Sequence, residues 1–162
     1  MDAIVSLLTV SDTRTVSTDL SGPAAQKALA KLGFHSFVTR IVRDEQDEIQ
    51  EAIIDLCRQS QILFTLGGTG FSPRDVTPEA TVAVVDRRAD NLSELIRLKG
   101  LEHTRFSYLS RGVCGIRGET LIVNLPGSPK AVSQGIEAIA HLLPPILEGI
   151  AGKVCPITEE KL

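Results

Sequence analysis

"ILFTLGGTGFSPRDVTPEAT", residues 62–81, passes from an apolar run to the glycines Gly67, Gly68 and Gly70 and then to Thr77-Pro78-Glu79. The run Ile62 to Leu66 is short, apolar and bounded by turn residues, as expected of a strand, read over 61–66, that is covered on both faces. Thr77, Pro78 and Glu79 read as a cap, a first-turn proline and a first-turn acid, which together start a helix. A strand that exits through glycines straight into a helix is part of a strand-helix-strand unit. The question is whether the chain on either side repeats it.

It does. Upstream, residues 3–10 read as a buried strand and 21–32 as a helix with Ala25, Ala28, Leu29 and Leu32 inward and Gly33 as its stop. A second strand covers 34–43, and a helix covers 45–59, with Asp44 as its N-cap and Ile49, Ala52, Ile53, Leu56 and Cys57 as its core stripe. Downstream come a helix over 91–102, a strand over 105–109, the turn "RGVCGIRG" and a strand over 120–125. Then "LPGSPKA" repeats the strand exit, with Ser128 as cap and Pro129 opening a helix that turns Val132, Ile136, Ile139, Ala140 and Leu143 inward until Pro144-Pro145 breaks it. Strands alternating with helices give an α/β fold, a three-layer sandwich with a mainly parallel sheet and helices on both faces. The stretch between 109 and 120 is too short for a parallel crossover, so one strand there is expected to run antiparallel. No linker divides residues 1–152, and 153–162 read as a polar C-terminal tail.

Composition narrows the function. The 162 residues carry 17 basic and 20 acidic side chains, a net charge of −3, with one tyrosine, no tryptophan and five phenylalanines. That is not a nucleic-acid surface, which needs a basic stripe and stacking aromatics. The start "MDAIVSLLTVSDTR" has no secretory pattern and no apolar run reaches membrane-span length, so no membrane role and a cytoplasmic location are expected. The cysteines form no CxxC pair and His35, His103 and His141 are isolated, which removes zinc. Cys57 reads as core, Cys114 as a small residue fitted to a tight turn, and Cys155 as part of the tail.

The polar stretches "TVSDT", "VRDE", "GGTGFSPRD" and "LPGSPK" all follow the carboxyl ends of the expected strands, where open α/β sheets take their ligands. Glycines expose backbone N–H groups and helix starts add positive ends, so an anion, phosphate above all, is the expected guest. The loop is neither of the familiar nucleotide motifs, GxxxxGK[ST] or GxGxxG. Each acid alone has an ordinary reading, Asp44 as a helix cap and Asp75 as a surface partner of Arg74 or Arg87. Together, two carboxylates at the rim of an anion site suit Mg²⁺-dependent phosphoryl or nucleotidyl transfer. Arg74, Arg111 and Lys130 are candidates to offset phosphate charge.

"GGTGFSPRDVTPEAT", "LSRGVCGIRGETLIVNLPGSPKA", "TVSDT" and "DLSGP" together resemble the molybdopterin adenylyltransferases, the MogA/MoaB family, also present as the G domain of fusion proteins of molybdenum cofactor synthesis. The resemblance covers residues 3–152. It implies transfer of AMP from ATP to the terminal phosphate of molybdopterin, with release of pyrophosphate, a requirement for Mg²⁺, a homotrimer, and delivery of the product to a molybdate-insertion protein. By position it assigns Asp44 and Asp75 to catalysis and metal binding. Ser11, Asp12, Gly67, Gly68, Thr69, Gly70, Ser110, Pro126, Gly127 and Ser128 fall to substrate binding. Arg43 departs from the pattern, since many relatives carry proline before the acid. The alternatives are a non-catalytic carrier or scaffold of the same family, and the molybdate-insertion branch, which carries a similar domain in a longer chain.

Overall fold

The computed structural model describes residues 2–153, so most of the expected tail, Cys155 included, lies outside the described residues. The most apolar runs form the centre of the sheet. In β1 (Ile4–Val10) every residue after the first is buried, and β3 (Ile62–Leu66) and β6 (Thr120–Leu125) are buried throughout, as strands covered on both faces must be. β2 (Ser36–Val42) is half-exposed at one edge. Six strands lie in the order β2-β1-β3-β6-β5-β4. The first four are parallel, with Thr9 opposite Leu66 and Leu66 opposite Leu125.

Successive side chains of one strand enter different cores. Leu7 and Phe64 join α1 (Ser21–Lys31), α4 (Asp90–Gly100), α5 (Pro129–Ile139) and α6 (Leu143–Ile150) on one face. Leu8 and Leu63 join α2 (Gln46–Cys57) and α3 (Thr77–Val84) on the other. The α/β sandwich with helices on both faces is therefore as expected. Between the layers, the buried Asn124 amide donates to the Thr65 and Thr81 hydroxyls at 2.8 and 2.9 Å while its oxygen accepts from Val113 N–H at 3.1 Å.

Several elements differ from the sequence reading. Residues 105–109 are not a strand but a 3-10 helix, Arg105–Leu109, because the Thr104 hydroxyl accepts from Phe106 N–H and Ser107 Oγ donates to Arg97 O. The antiparallel strand instead lies inside the expected turn. β5 (Cys114–Arg117) runs against both β6 and the short β4 (Arg87–Arg88), reversing at Gly118, whose φ is +55°. Cys114 is thus a buried strand residue, and burial pushes its thiol up to about 12. Cys57 is half-buried beside its core stripe, its thiol raised to about 11 by the same cause.

The last helical segment breaks earlier than its prolines. α5 ends at Ile139, a 3-10 turn spans Ala140–Leu142, and Pro144 falls in the first turn of α6, where its missing N–H costs nothing. No helix among the described residues is long and apolar enough to cross a membrane.

Candidate active site

From β1 the chain moves outward to β2 and then returns to β3 on the other side of β1. The helix after β1 packs on one face and the helix after β3 on the other, so the loops leaving these neighbours diverge and open a crevice at the carboxyl end of the sheet. A cavity of about 510 Å³ occupies it, within the range of about 300–1,000 Å³ usual for small-molecule sites.

Gly67 forms the floor. Its N–H continues the β3–β6 ladder to Leu125 O at 2.9 Å, but its φ of +107° turns the chain away. A Cβ there would lie 2.6 Å from Val10 O, and one on Gly127 would reach 3.4 Å from Gly67 Cα, so the loops after β3 and β6 meet backbone to backbone. Gly68 also has positive φ, and a side chain there would overlap the Thr77 hydroxyl. Thr77 was expected to cap α3. It is instead the first helical residue, and its buried hydroxyl donates to Gly67 O at 2.9 Å while its N–H donates to Gly68 O at 3.1 Å. The helix start is used to hold the glycine turn.

The bare glycines leave room for the acids. A Cβ on Gly68 would come 3.3 Å from Asp44 Oδ1, and one on Gly70 would come 2.8 Å from Asp75 Oδ2. Asp75 Oδ2 accepts from Ser72 N–H at 3.0 Å, which pins that carboxylate to its own loop. Asp44 is not the cap of α2. Glu45 takes the N-cap position without a side-chain bond, and Asp44 donates its N–H to Asp12 Oδ1 at 3.0 Å, leaving its carboxylate at the cavity wall.

Burial, and next the negative charge of Asp12, hold the Asp44 carboxyl above its ordinary range, with Asp75 adding to the shift. A carboxyl raised in the folded state contributes stability when protonated and loses that contribution as pH rises through the raised value. Ionised Asp44 is therefore unfavourable for folding at neutral pH. Asp44→Asn is expected to melt at an equal or higher temperature than the native chain near pH 7. The difference should vanish near pH 3, below the ordinary aspartate value of about 3.9. A melting temperature lowered at pH 7 would mean that Asp44 is a structural carboxylate.

Of the residues expected in the site, Ser11, Asp44, Gly67, Gly68, Thr69, Gly70, Asp75, Ser110, Pro126 and Gly127 line the cavity together. Asp12 and Ser128 do not. Asp12 faces an adjoining groove and pairs with Arg74, which holds its carboxyl below the usual range. Ser128 caps α5, accepting from Ala131 N–H at 3.1 Å. Arg43 pairs with Glu48 away from the cavity.

Arg74, Arg111 and Lys130 are likewise absent from the lining. Arg111 donates to Gly70 O at 2.7 Å, to Asp75 O at 2.9 Å and to Glu79, so it braces the acidic loop. The cation among the lining residues is Arg97 on α4, which reaches Gly112 O at 2.8 Å. With Ile96, Phe106 and Leu109 it forms a wall that sequence reading missed. The lining therefore combines apolar side chains with glycine backbone, hydroxyls and the carboxylates of Asp44 and Asp75.

Among the described residues no group of three or more His, Cys, Asp or Glu is placed to hold a metal alone. Two carboxylates lining one cavity do suit Mg²⁺, which takes one or two from protein and completes its shell with phosphate oxygens and water.

A family model described as "Probable molybdopterin binding domain" matches residues 6–148. The chain belongs to this family. The chain is 35% identical over 164 residues to a protein named molybdopterin adenylyltransferase from Helicobacter pylori, covering 98% of this chain and 93% of that one. It is 43% identical over 144 residues to the molybdenum cofactor synthesis protein cinnamon of Drosophila melanogaster, covering 85% of this chain but only 24% of that longer protein. The solved structure of the molybdopterin biosynthesis enzyme MoaB from Thermus thermophilus superposes on the chain with a TM-score of 0.85 at 40% identity, covering 93% of this chain and 98% of that one.

Proposed function

We propose that this molybdopterin-binding domain is a molybdopterin adenylyltransferase of molybdenum cofactor biosynthesis. In this reading a terminal phosphate oxygen of molybdopterin attacks the α-phosphorus of ATP. The bond from that phosphorus to the bridging oxygen breaks, giving adenylyl-molybdopterin and pyrophosphate. The observation that carries the reading is the convergence of Asp44 and Asp75 on one cavity with the Gly67–Gly70 turn, in a chain alike over nearly its whole length to proteins so named.

The nucleophile is already an anionic oxygen near neutral pH, so no strong general base is required. Catalysis has to bring two polyanions together and offset their repulsion. The N–H groups of Gly68, Thr69 and Gly70 and the Arg97 guanidinium would receive phosphate. Ile96, Phe106 and Leu109 offer a surface for a flat ring. Asp44 and Asp75 would hold Mg²⁺, which when bound supplies positive charge to the phosphate oxygens. A homotrimer in the cytoplasm and delivery of the product to a molybdate-insertion protein complete the proposal.

The test is incubation of the purified chain with molybdopterin, Mg²⁺ and ATP labelled in its α-phosphate. Label is expected on the pterin, with one pyrophosphate released per adenylyl group. Tight binding of both ligands without label on the pterin would replace this reading with that of a carrier.

A further inference from the structure

Arg74 sits next to Asp75 in sequence yet stays out of the cavity. Its Nε and Nη2 grip both oxygens of Asp12 at 3.1 Å each, and Nη2 also reaches Glu45 Oε1 at 2.9 Å. Asp12 in turn accepts the Asp44 N–H at 3.0 Å. One guanidinium therefore joins the loops that follow β1, β2 and β3, and the third of these loops carries Asp75. All three side chains of the clamp are substantially exposed. Pairs of that kind add little to stability, so a structural role explains the arrangement poorly. A planar fork does fix geometry, because two parallel N–H bonds to one carboxylate leave few relative orientations open.

We propose that Arg74 is a positioning residue, which through Asp12 and Glu45 sets the place of Asp44 relative to Asp75 and thereby the spacing at which the two carboxylates hold a divalent cation together with nucleotide. The inference rests on the adenylyltransferase reading for the identity of the nucleotide and metal. Arg74 touches neither of them. It acts on the backbone N–H of one acid and on the chain segment of the other.

Charge and position predict opposite signs, which makes the idea testable. Removing a positive charge beside two carboxylates should by itself tighten cation binding. Loss of the clamp should weaken it, by about tenfold, the low end of the ~10–100-fold that loss of an outer partner of a metal ligand costs.

The experiment is a Mn²⁺ titration followed by electron paramagnetic resonance, with ATP present and pterin omitted so that no transfer occurs, on the native chain, Arg74→Gln and Arg74→Lys. Arg74→Lys keeps the charge but cannot grip both Asp12 oxygens and Glu45 together, and it keeps the test decisive if the glutamine variant fails to fold. Expected are weaker Mn²⁺ affinity in both variants, nearly unchanged melting temperatures, and unchanged ATP affinity in the absence of metal. Unchanged or tighter Mn²⁺ binding in Arg74→Lys would overturn the proposal and leave the adenylyltransferase reading standing. Loss of metal-free ATP binding would overturn it in favour of a direct phosphate contact. Absence of Mn²⁺ binding in the native chain would overturn it together with the metal assignment on which it rests.

Discussion

Asp75→Asn is expected to lower adenylyl transfer by about 10² to 10³, or roughly 3 to 4 kcal/mol of barrier, the usual loss when one well-placed electrostatic contact is removed. The fold should survive. The amide oxygen can still accept from Ser72 N–H, and the loop is held by main-chain atoms, Asp75 N–H on Ser72 O at 2.9 Å and Asp75 O on Arg111. Only the charge that a cation needs is removed. If Asp75 were a surface acid, the same change would move stability by less than about 1 kcal/mol and leave turnover intact. Transfer measured over a Mg²⁺ titration beside a thermal melt separates the two. Unchanged turnover at limiting Mg²⁺ would take Asp75 out of the mechanism, and a loss of activity in proportion to a lost fold would show damage to the loop.

Gly67→Ala is expected to destabilise the chain by about 3 kcal/mol, which for a chain of this length lowers the melting temperature by roughly 10 °C. Two costs coincide there. A φ of +107° is strained for any residue with a Cβ, and that Cβ would meet Val10 O at 2.6 Å, a backbone atom that cannot swing aside. Gly118→Ala is the control, because Gly118 has a φ of +55° but open space where its Cβ would stand. It should cost only about 1–2 kcal/mol, the price of the conformation alone. Equal losses in the two variants would mean that the Val10 contact is relieved by movement of β1.

How far the fold was legible depended on where each element finds its partners. Ile62 to Leu66 and the runs of β1 and β6 announce themselves because strands covered on both faces must be apolar throughout. Cys114-Gly115-Ile116-Arg117 could not, since it is short, contains glycine, and becomes a strand only through pairing with β6 and β4. Gly115 is required there by tertiary crowding, as its Cβ would lie 2.6 Å from Val85 and 2.9 Å from Arg87 O. Arg105 to Leu109 carries the aromatic residues of a strand, yet a hydroxyl on Thr104 and another on Ser107 settle it as a 3-10 helix. In the site, the Gly67–Asp75 segment is readable because its parts are contiguous. Arg97 and Phe106 are not, because they reach the cavity only through the way α4 packs beside α5 and the segment after it.

The contact between Gly67 and Gly127 has a bearing on synthesis. The floor of the cavity is a meeting of two chain segments far apart in sequence, and the later one follows the last strand to be made. A nascent chain that has not yet released β6 has no Gly127 to face Gly67 and no Leu125 carbonyl to receive its N–H. Assembly from such distant pairings is slow in proportion to its non-local character. A ligand that needs this floor stabilises the folded molecule by mass action, about 2.7 kcal/mol at a hundredfold excess over the dissociation constant.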